Sequence, residues 1–426
     1  MGLKAVRSNA FRRIHGSGFV EHHFSGPLYC VPQSMRRSFN FVERGREPAG
    51  SRRRATRFLS EKRGRSSPTC RLLPSKHLGH LPRSRRQRAL HFSCIRSRMP
   101  VNERSPTVLV TGGAGYIGSV LVRQLLAGGW RVRVLDSLRA GGESLAELAG
   151  DPKFQFIRGD VRNDPDKVVA DCDAVVHLAA IVGDPACRAE PELARSVNLD
   201  GSIKLYTAAS RGGVKRFVFA STCSNYGRAS DPSVLMREDS ALQPVSLYAE
   251  TKVAVEQFLL SQPRNAPCVP VVLRFSTVYG VSPRMRFDLT VNEFARDVAL
   301  DRELVIFGEQ FWRPYCHVAD LARSAILALS APADVVGFEV FNVGDTDENY
   351  TKQMLVDQLR IQAPALRVKF VPKNEDPRDY RVNFSKIHER LDFSPSRRVA
   401  DGIREVLEVV GTGLIADPND KRYGNT

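Results

Sequence analysis

The chain has 426 residues, 42% hydrophobic and 26% charged, with a formal net charge of +17, long enough to bury one large core or two smaller ones. The charge is uneven: residues 1–98 hold 23 of the 63 Lys and Arg but only 4 of the 46 acids, leaving 40 basic and 42 acidic residues for 99–426. A near-neutral folded part argues against a nucleic-acid-coating surface, and with no apolar run of 18 residues and no signal-peptide pattern, a soluble, cytoplasmic chain without a membrane partner is expected.

Residues 1–104 read as a basic extension with Arg-Arg clusters, scattered Pro, Gly and Ser, and no sustained apolar period. Such a stretch cannot bury enough apolar surface to offset chain entropy and is expected to be disordered. Three readings fit it: upstream sequence read through from too early a start, an organelle transit peptide, or a nucleic-acid-binding arm. Composition favours the first, with Met99 as the true start just before the first strand. The eight cysteines (30, 70, 94, 172, 187, 223, 268 and 316) include no C-x-x-C pair and no metal-ligand spacing, which reads as reduced thiols and no metal site.

From Thr107 onward short apolar runs alternate with helix-period segments. The spacing predicts strands over Thr107–Val110, Arg131–Leu135, Phe154–Ile157, Ala174–Leu178, Phe217–Ala220 and Val269–Phe275. Helices are predicted over Ile117–Ala127, Pro191–Arg211 and Tyr248–Leu260. Such alternation implies an α/β fold built on a doubly wound parallel sheet, with ligands at the carboxyl ends of the strands.

Each motif falls at such an end. The first strand runs into Thr111-Gly112-Gly113-Ala114-Gly115-Tyr116-Ile117-Gly118 and then a helix. Glycines at 112, 115 and 118 let a backbone turn tightly against a pyrophosphate, whose charge the N–H groups and the helix N-terminus face. Asp136 ends the second strand 18 residues after Gly118; a carboxylate there accepts hydrogen bonds from ribose hydroxyls and repels a 2′-phosphate, which favours NAD over NADP. A capping or turn aspartate is the plainer alternative. Asp160 and Val161, after the third strand, are placed to border an adenine, although a Gly-Asp turn predicts the same letters.

After the fifth strand stands Ser221-Thr222-Cys223-Ser224-Asn225-Tyr226-Gly227, and downstream Tyr248-Ala249-Glu250-Thr251-Lys252 on a helix. Residues four apart share a helix face, so Tyr248 and Lys252 point together. A phenol has a pKa of about 10 and is a poor base at neutral pH. An adjacent ammonium, with the positive charge of oxidised nicotinamide, favours the phenolate and lowers that value. Such a phenol removes a hydroxyl proton as hydride leaves the same carbon.

These motifs resemble the extended short-chain dehydrogenase/reductase family, specifically its NAD-dependent sugar-nucleotide epimerases and dehydratases. The resemblance spans about Thr107 to Ala416 and rests on TGGAGYIG at 111–118, HLAA at 177–180, VNLDGS around Asn198, STCSNYG at 221–227, YAETK at 248–252 and RPYCHVAD at 313–320. It implies a Rossmann-type NAD-binding domain over 105–280 and a smaller C-terminal α/β substrate-binding lobe, mainly 281–420, with 313–329 returning to the sheet side. It further implies Thr222, Tyr248 and Lys252 as the catalytic set. Gly112, Gly115, Tyr116, Ile117, Gly118, Leu178, Ala179, Ala180 and Asn198 fall on the cofactor side, together with Asp136, Asp160 and Val161, and Lys252 also contacts the nicotinamide ribose. For a nucleotide-sugar substrate it implies Thr277, where the family usually has Asn, and Arg313 and Arg378 on the diphosphate, whose charge suits a guanidinium fork; a surface salt bridge is the alternative for either arginine. Members commonly form homodimers.

Dehydratases of the family carry an Asp-Glu pair directly after the triad Thr; here Cys223 and Ser224 stand there, and elimination of water lacks its usual proton carriers. Epimerisation through a transient keto sugar, most simply at C4, is the expected reaction. A dehydratase or ketoreductase of the same family, and a non-catalytic dinucleotide-binding sensor or scaffold, are the alternatives.

Overall fold

The computed structural model describes residues 105–229, 231, 233–374 and 378–425. The expectations for the basic extension 1–104 lie outside the described residues. Elements follow in chain order. The first half holds β1 (Thr107–Thr111), α1 (Tyr116–Ala127), β2 (Arg131–Asp136), β3 (Phe154–Arg158), α2 (Pro165–Val169), β4 (Ala174–His177), α3 (Asp184–Ala189), α4 (Pro191–Arg195), α5 (Ser202–Arg211), β5 (Arg216–Thr222), β6 (Leu235–Met236), α6 (Leu247–Leu260) and β7 (Val269–Phe275). The second half holds β8 (Thr277–Tyr279), α7 (Thr290–Ala299), β9 (Leu304–Phe307), β10 (Trp312–His317), α8 (Val318–Ser330), α9 (Ala333–Val336), β11 (Glu339–Val343), β12 (Asn349–Thr351), α10 (Lys352–Gln362), β13 (Val368–Val371), β14 (Arg381–Val382), α11 (Ser385–Leu391) and α12 (Val399–Gly411).

Seven strands form one sheet in the order β11-β7-β5-β4-β1-β2-β3, with every pairing parallel. The central strands of the sheet are buried on both faces, as parallel sheets require, while the edge strand β3 is half-exposed. Side chains alternate between two apolar layers with the period of two that strand geometry imposes. Val108 and Val110 of β1 enter one layer with Leu121, Leu125 and Leu321 of α1 and α8, while Leu109 enters the other with Leu205 and Leu259 of α5 and α6. This is a Rossmann-type fold. A smaller C-terminal α/β lobe carries the sheets β12-β10-β8 and β13-β9, with its own core of Tyr279, Phe287, Leu355 and Ile403.

Three differences from the expected elements have physical causes. The fourth strand stops at His177, opposite the last residue of β1, and Leu178 N–H makes the closing bond of that ladder to Thr111 O at 3.1 Å. The helix expected over 191–211 opens into a wide π turn at Ser196–Gly201, where Ser202 Oγ donates to Asn198 O at 2.6 Å; such wide turns concentrate at functional sites. The return to the sheet side expected over 313–329 is made by α8, whereas β10 pairs with β8 and β12 in the lobe; β11 joins the main sheet as well, through the register Glu339–Val343 against Val271–Phe275. Its inner residues Phe341 and Val343 are fully buried beside β7, a pairing that Phe-Asn-Val by itself does not announce.

Candidate active site

The glycine turn is built by close approach. Gly112 has φ +73 and lies so near Ala179 that a Cβ would fall 2.8 Å from its backbone nitrogen; at Gly118 a Cβ would fall 2.1 Å from Gly112 O. Gly115 caps α1 in extended conformation with no side-chain cap, so the first N–H groups of the helix are left to an external acceptor, the arrangement that suits a pyrophosphate. Tyr116 contributes only its backbone here. Its side chain is buried, its hydroxyl donating to Gly280 O and accepting from Asn292 Nδ2 at 3.0 Å. Ile117 is half-buried and packs against both the main core and the lobe.

Asp136 ends β2, as expected, and its carboxylate accepts from Ala114 N at 2.9 Å and Leu138 N at 2.8 Å. It therefore ties the glycine turn to the second strand while keeping lone pairs for a diol. Burial pushes its carboxyl up, against those two donors. Asp160 is held by Arg162, whose Nε and Nη2 donate at 2.9 and 2.7 Å, which keeps its carboxyl below the usual range. Val161 is buried, with its side chain against Gly201.

The loop after β4 is pinned by two polar residues. Asn198 is fully buried and takes both backbone groups of Ile181, accepting from its N–H at 2.7 Å and donating to its carbonyl at 3.0 Å. Leu178, Ala179 and Ala180 thus form a fixed half-exposed ledge over the glycine turn. His177 lies beneath it. Ser202 Oγ spends its proton on Asn198 O, so it accepts from His177 Nε2–H at 2.8 Å, which leaves Nδ1 to accept from the Thr111 hydroxyl at 2.6 Å; Thr111 Oγ1 in turn accepts from Ala179 N. This chain assigns the neutral Nε2–H tautomer. Burial, then the Lys252 charge, pushes the His177 pKa from 6.5 down to about 3. A depressed histidine contributes stability that is complete above the unfolded value and lost as pH falls through the folded one. The unfolding midpoint is therefore expected to fall more steeply between pH 6.5 and 3 in the native protein than in His177→Gln, as read by thermal denaturation across that range.

Thr222 ends β5 and Tyr248 and Lys252 lie on α6, and the structure brings strand end and helix face together. Lys252 Nζ donates to Ala220 O at 2.8 Å and sits 4.6 Å from the Phe219 ring centroid and 5.8 Å from that of Tyr248. Thr222 Oγ1 accepts from Ser224 N at 3.1 Å, which leaves its own O–H to donate elsewhere. In the protein alone the Tyr248 hydroxyl is not lowered as expected: burial holds it above its usual range. The ammonium spends one donor on Ala220 O and approaches the ring face, and burial pushes Lys252 itself down to about 8.

Cys223 is buried with its thiol toward Arg274 O at 3.2 Å, and burial raises it far above the ordinary thiol value. It is a packing group. The described cysteines, Cys172, Cys187, Cys223, Cys268 and Cys316, are all free and buried. Among the described residues no cluster of three His, Cys, Asp or Glu could hold a metal ion, and no helix is long and apolar enough to cross a membrane.

On the lobe side, Arg313 of β10 lies over the Tyr380 ring at 5.6 Å, and Arg378 pairs with Asp184 at 3.2 Å. Asp184 stands at the start of α3, near enough for its charge to raise the Tyr248 hydroxyl. Arg378 thereby pairs with a carboxylate whose charge reaches Tyr248. Thr277 opens β8 opposite Tyr315, and no hydrogen bond among the described residues joins it to the triad. The sequence reading missed Asp184, which carries no motif; His177, which sits inside HLAA; and Glu256, one helical turn beyond Lys252.

Comparison with known proteins fits this geometry. A family model described as the NAD dependent epimerase/dehydratase family matches residues 108–344. A dTDP-glucose 4,6-dehydratase from an Actinoplanes species is 33% identical over 324 residues, covering 70% of this chain and 96% of that protein. A UDP-glucose 4-epimerase from Lactobacillus helveticus is 29% identical over 316 residues, covering 70% and 94%. Among solved structures, UDP-glucuronic acid 4-epimerase from Bacillus cereus, in complex with UDP-glucuronic acid and NAD, aligns with a TM-score of 0.64 at 28% identity, covering 72% of this chain and 99% of that one. With a glycine turn shaped for a dinucleotide, a Tyr-Lys helix face against a strand-end hydroxyl, and a family match across that whole region, the chain belongs to the NAD-dependent epimerase/dehydratase family of extended short-chain dehydrogenases/reductases.

Proposed function

We propose that the protein inverts a hydroxyl of a nucleotide-activated sugar, most simply at C4, through a transient keto sugar, with the 105–280 domain holding NAD and the lobe holding the sugar nucleotide. The observation that carries the choice among family reactions is the strand end after Thr222. Its next two residues are a thiol kept neutral by burial and a hydroxyl, neither of which relays protons for loss of water at neutral pH.

Bound NAD would supply a two-electron acceptor with a positive ring, the oxidant that a transient keto sugar requires. The glycine turn and Leu178–Ala180 ledge hold the dinucleotide, and Asp136 accepts from its ribose. Thr222 donates to the sugar oxygen and holds it in place. Tyr248 takes the proton of that hydroxyl and gives it back after the sugar has turned its other face. Lys252 steadies the phenolate and contacts the ribose. Arg313 and Arg378 take the diphosphate, whose charge replaces Asp184 as partner of Arg378, and Thr277 lines the sugar.

UDP-, GDP-, CDP- and dTDP-hexoses offered to the NAD-loaded enzyme test this reading. Inversion at one carbon, with no accumulation of NADH and no loss of water, is expected. Net NADH turnover, or dehydration without inversion, overturns it.

A further inference from the structure

Tyr248, Lys252 and Glu256 recur every four residues along α6 and so share one of its faces. The first two have roles above. Glu256 has none, although it is 1% exposed, and a buried carboxylate persists only where charge and hydrogen bonds surround it. Those partners are present. Arg274 reaches it through Nη2 at 2.8 Å and Nε at 3.1 Å, Asn225 Nδ2 donates at 2.8 Å, and the Ser221 hydroxyl donates as well. Arg274 lies in β7 directly beside Ser221 of β5, and its Nη1 donates to Tyr226 Oη and Glu238 O, both at 3.0 Å.

The result is a grip on two consecutive residues of β5, directly before Thr222. Lys252 holds the Ala220 carbonyl, Glu256 holds the Ser221 hydroxyl, and Thr222 follows. We propose that Glu256 is a positioning residue: its negative charge, one helical turn from Lys252, keeps that ammonium charged in a buried site, and its hold on Ser221 sets the strand end that presents Thr222. The inference rests on the Tyr248–Lys252 chemistry proposed above.

The groups facing Lys252 make its need for an anion plain. Tyr248 and Glu256 come from its own helix, Cys187 from α3 and His177 from β4; Arg274 from β7 and Cys223 after β5 face Glu256. His177 is held neutral, and burial raises the Cys187 thiol, so it too stays uncharged. Burial disfavours the ammonium, and Cys187 and then Glu256 oppose this; with the thiol uncharged, Glu256 is the one of the two that carries a negative charge.

Two substitutions break the same ion pair and separate this role from a structural one. Glu256→Gln removes the anion. Arg274→Met removes the cation and leaves the carboxylate with Ser221 and Asn225. The double variant replaces both with neutral side chains and so avoids the orphaned buried charge that destabilises single variants. The readout is the Lys252 titration in the NAD-loaded protein, followed by 13Cε NMR of labelled lysine and assigned by the signal lost in Lys252→Arg. A downward shift of about one unit is expected in Glu256→Gln and in the double variant, with none downward in Arg274→Met. The alkaline limb of the turnover profile should move with it. Equal shifts in both single variants, no shift in Glu256→Gln, or a native titration in the double variant overturns the proposal. The NMR arm does not need turnover, so a protein that inverts no sugar defeats the functional reading while still deciding this one.

Discussion

Tyr248→Phe is expected to lower sugar inversion by about 10³-fold, within the range that positioned acid–base groups supply, while changing the affinity for NAD or nucleotide sugar by less than about threefold. The substitution deletes one hydroxyl and keeps the ring, which packs against the second apolar layer of the sheet. Burial already holds this phenol protonated in the protein alone, so the loss falls on proton transfer and not on the fold. Turnover measured with saturating sugar nucleotide, beside calorimetric titration of both ligands, checks the split. Full biological activity in the variant would instead favour the sensor or scaffold reading, in which the site binds but does no chemistry.

Gly118→Ala is expected to cost at least about 100-fold in NAD affinity and to lower the melting temperature. The added Cβ would fall 2.1 Å from Gly112 O and 2.7 Å from Gly113 Cα. Both atoms are backbone, so no side chain can swing aside, and overpacking of this kind costs about 1–3 kcal/mol or more. Relief comes only by opening the turn, which pulls Gly112 off Ala179 and turns the helix N–H groups away from the phosphates. Gly129→Ala is the control. Unlike Gly118, that glycine has positive φ, at +88, and nothing lies within 4 Å of an added Cβ, so it tests backbone strain without steric closure. It should leave NAD binding unchanged, as followed by fluorescence titration; equal losses in the two variants would refute the cradle.

Much of the architecture was legible because its signals are local. A fully buried parallel strand needs a short continuous apolar run, and Val108-Leu109-Val110, Val175-Val176 and Val271-Val272-Leu273 are such runs, all fully buried in the sheet. Tyr248 and Lys252 were legible for the same reason, since helix periodicity alone puts them on one face. The seventh strand was not: Glu339–Val343 is an edge strand whose place is decided by the α8 and α9 crossover that returns it to β7.

The site divides along the same line. Glycine spacing, the acidic residue closing β2 and the hydroxyl cluster closing β5 are properties of neighbours in the chain, and the sequence by itself determined them. Tertiary structure alone decided what those groups feel. Asp160 is spoken for by Arg162, Arg378 meets Asp184 across nearly two hundred residues, and Arg274 finds Glu256 from an adjacent strand. Protonation follows from such meetings: burial drives Lys252 down to about 8 and His177 to about 3. Desolvation and through-space charge depend on which distant residues close over a group, and chain order does not carry that information.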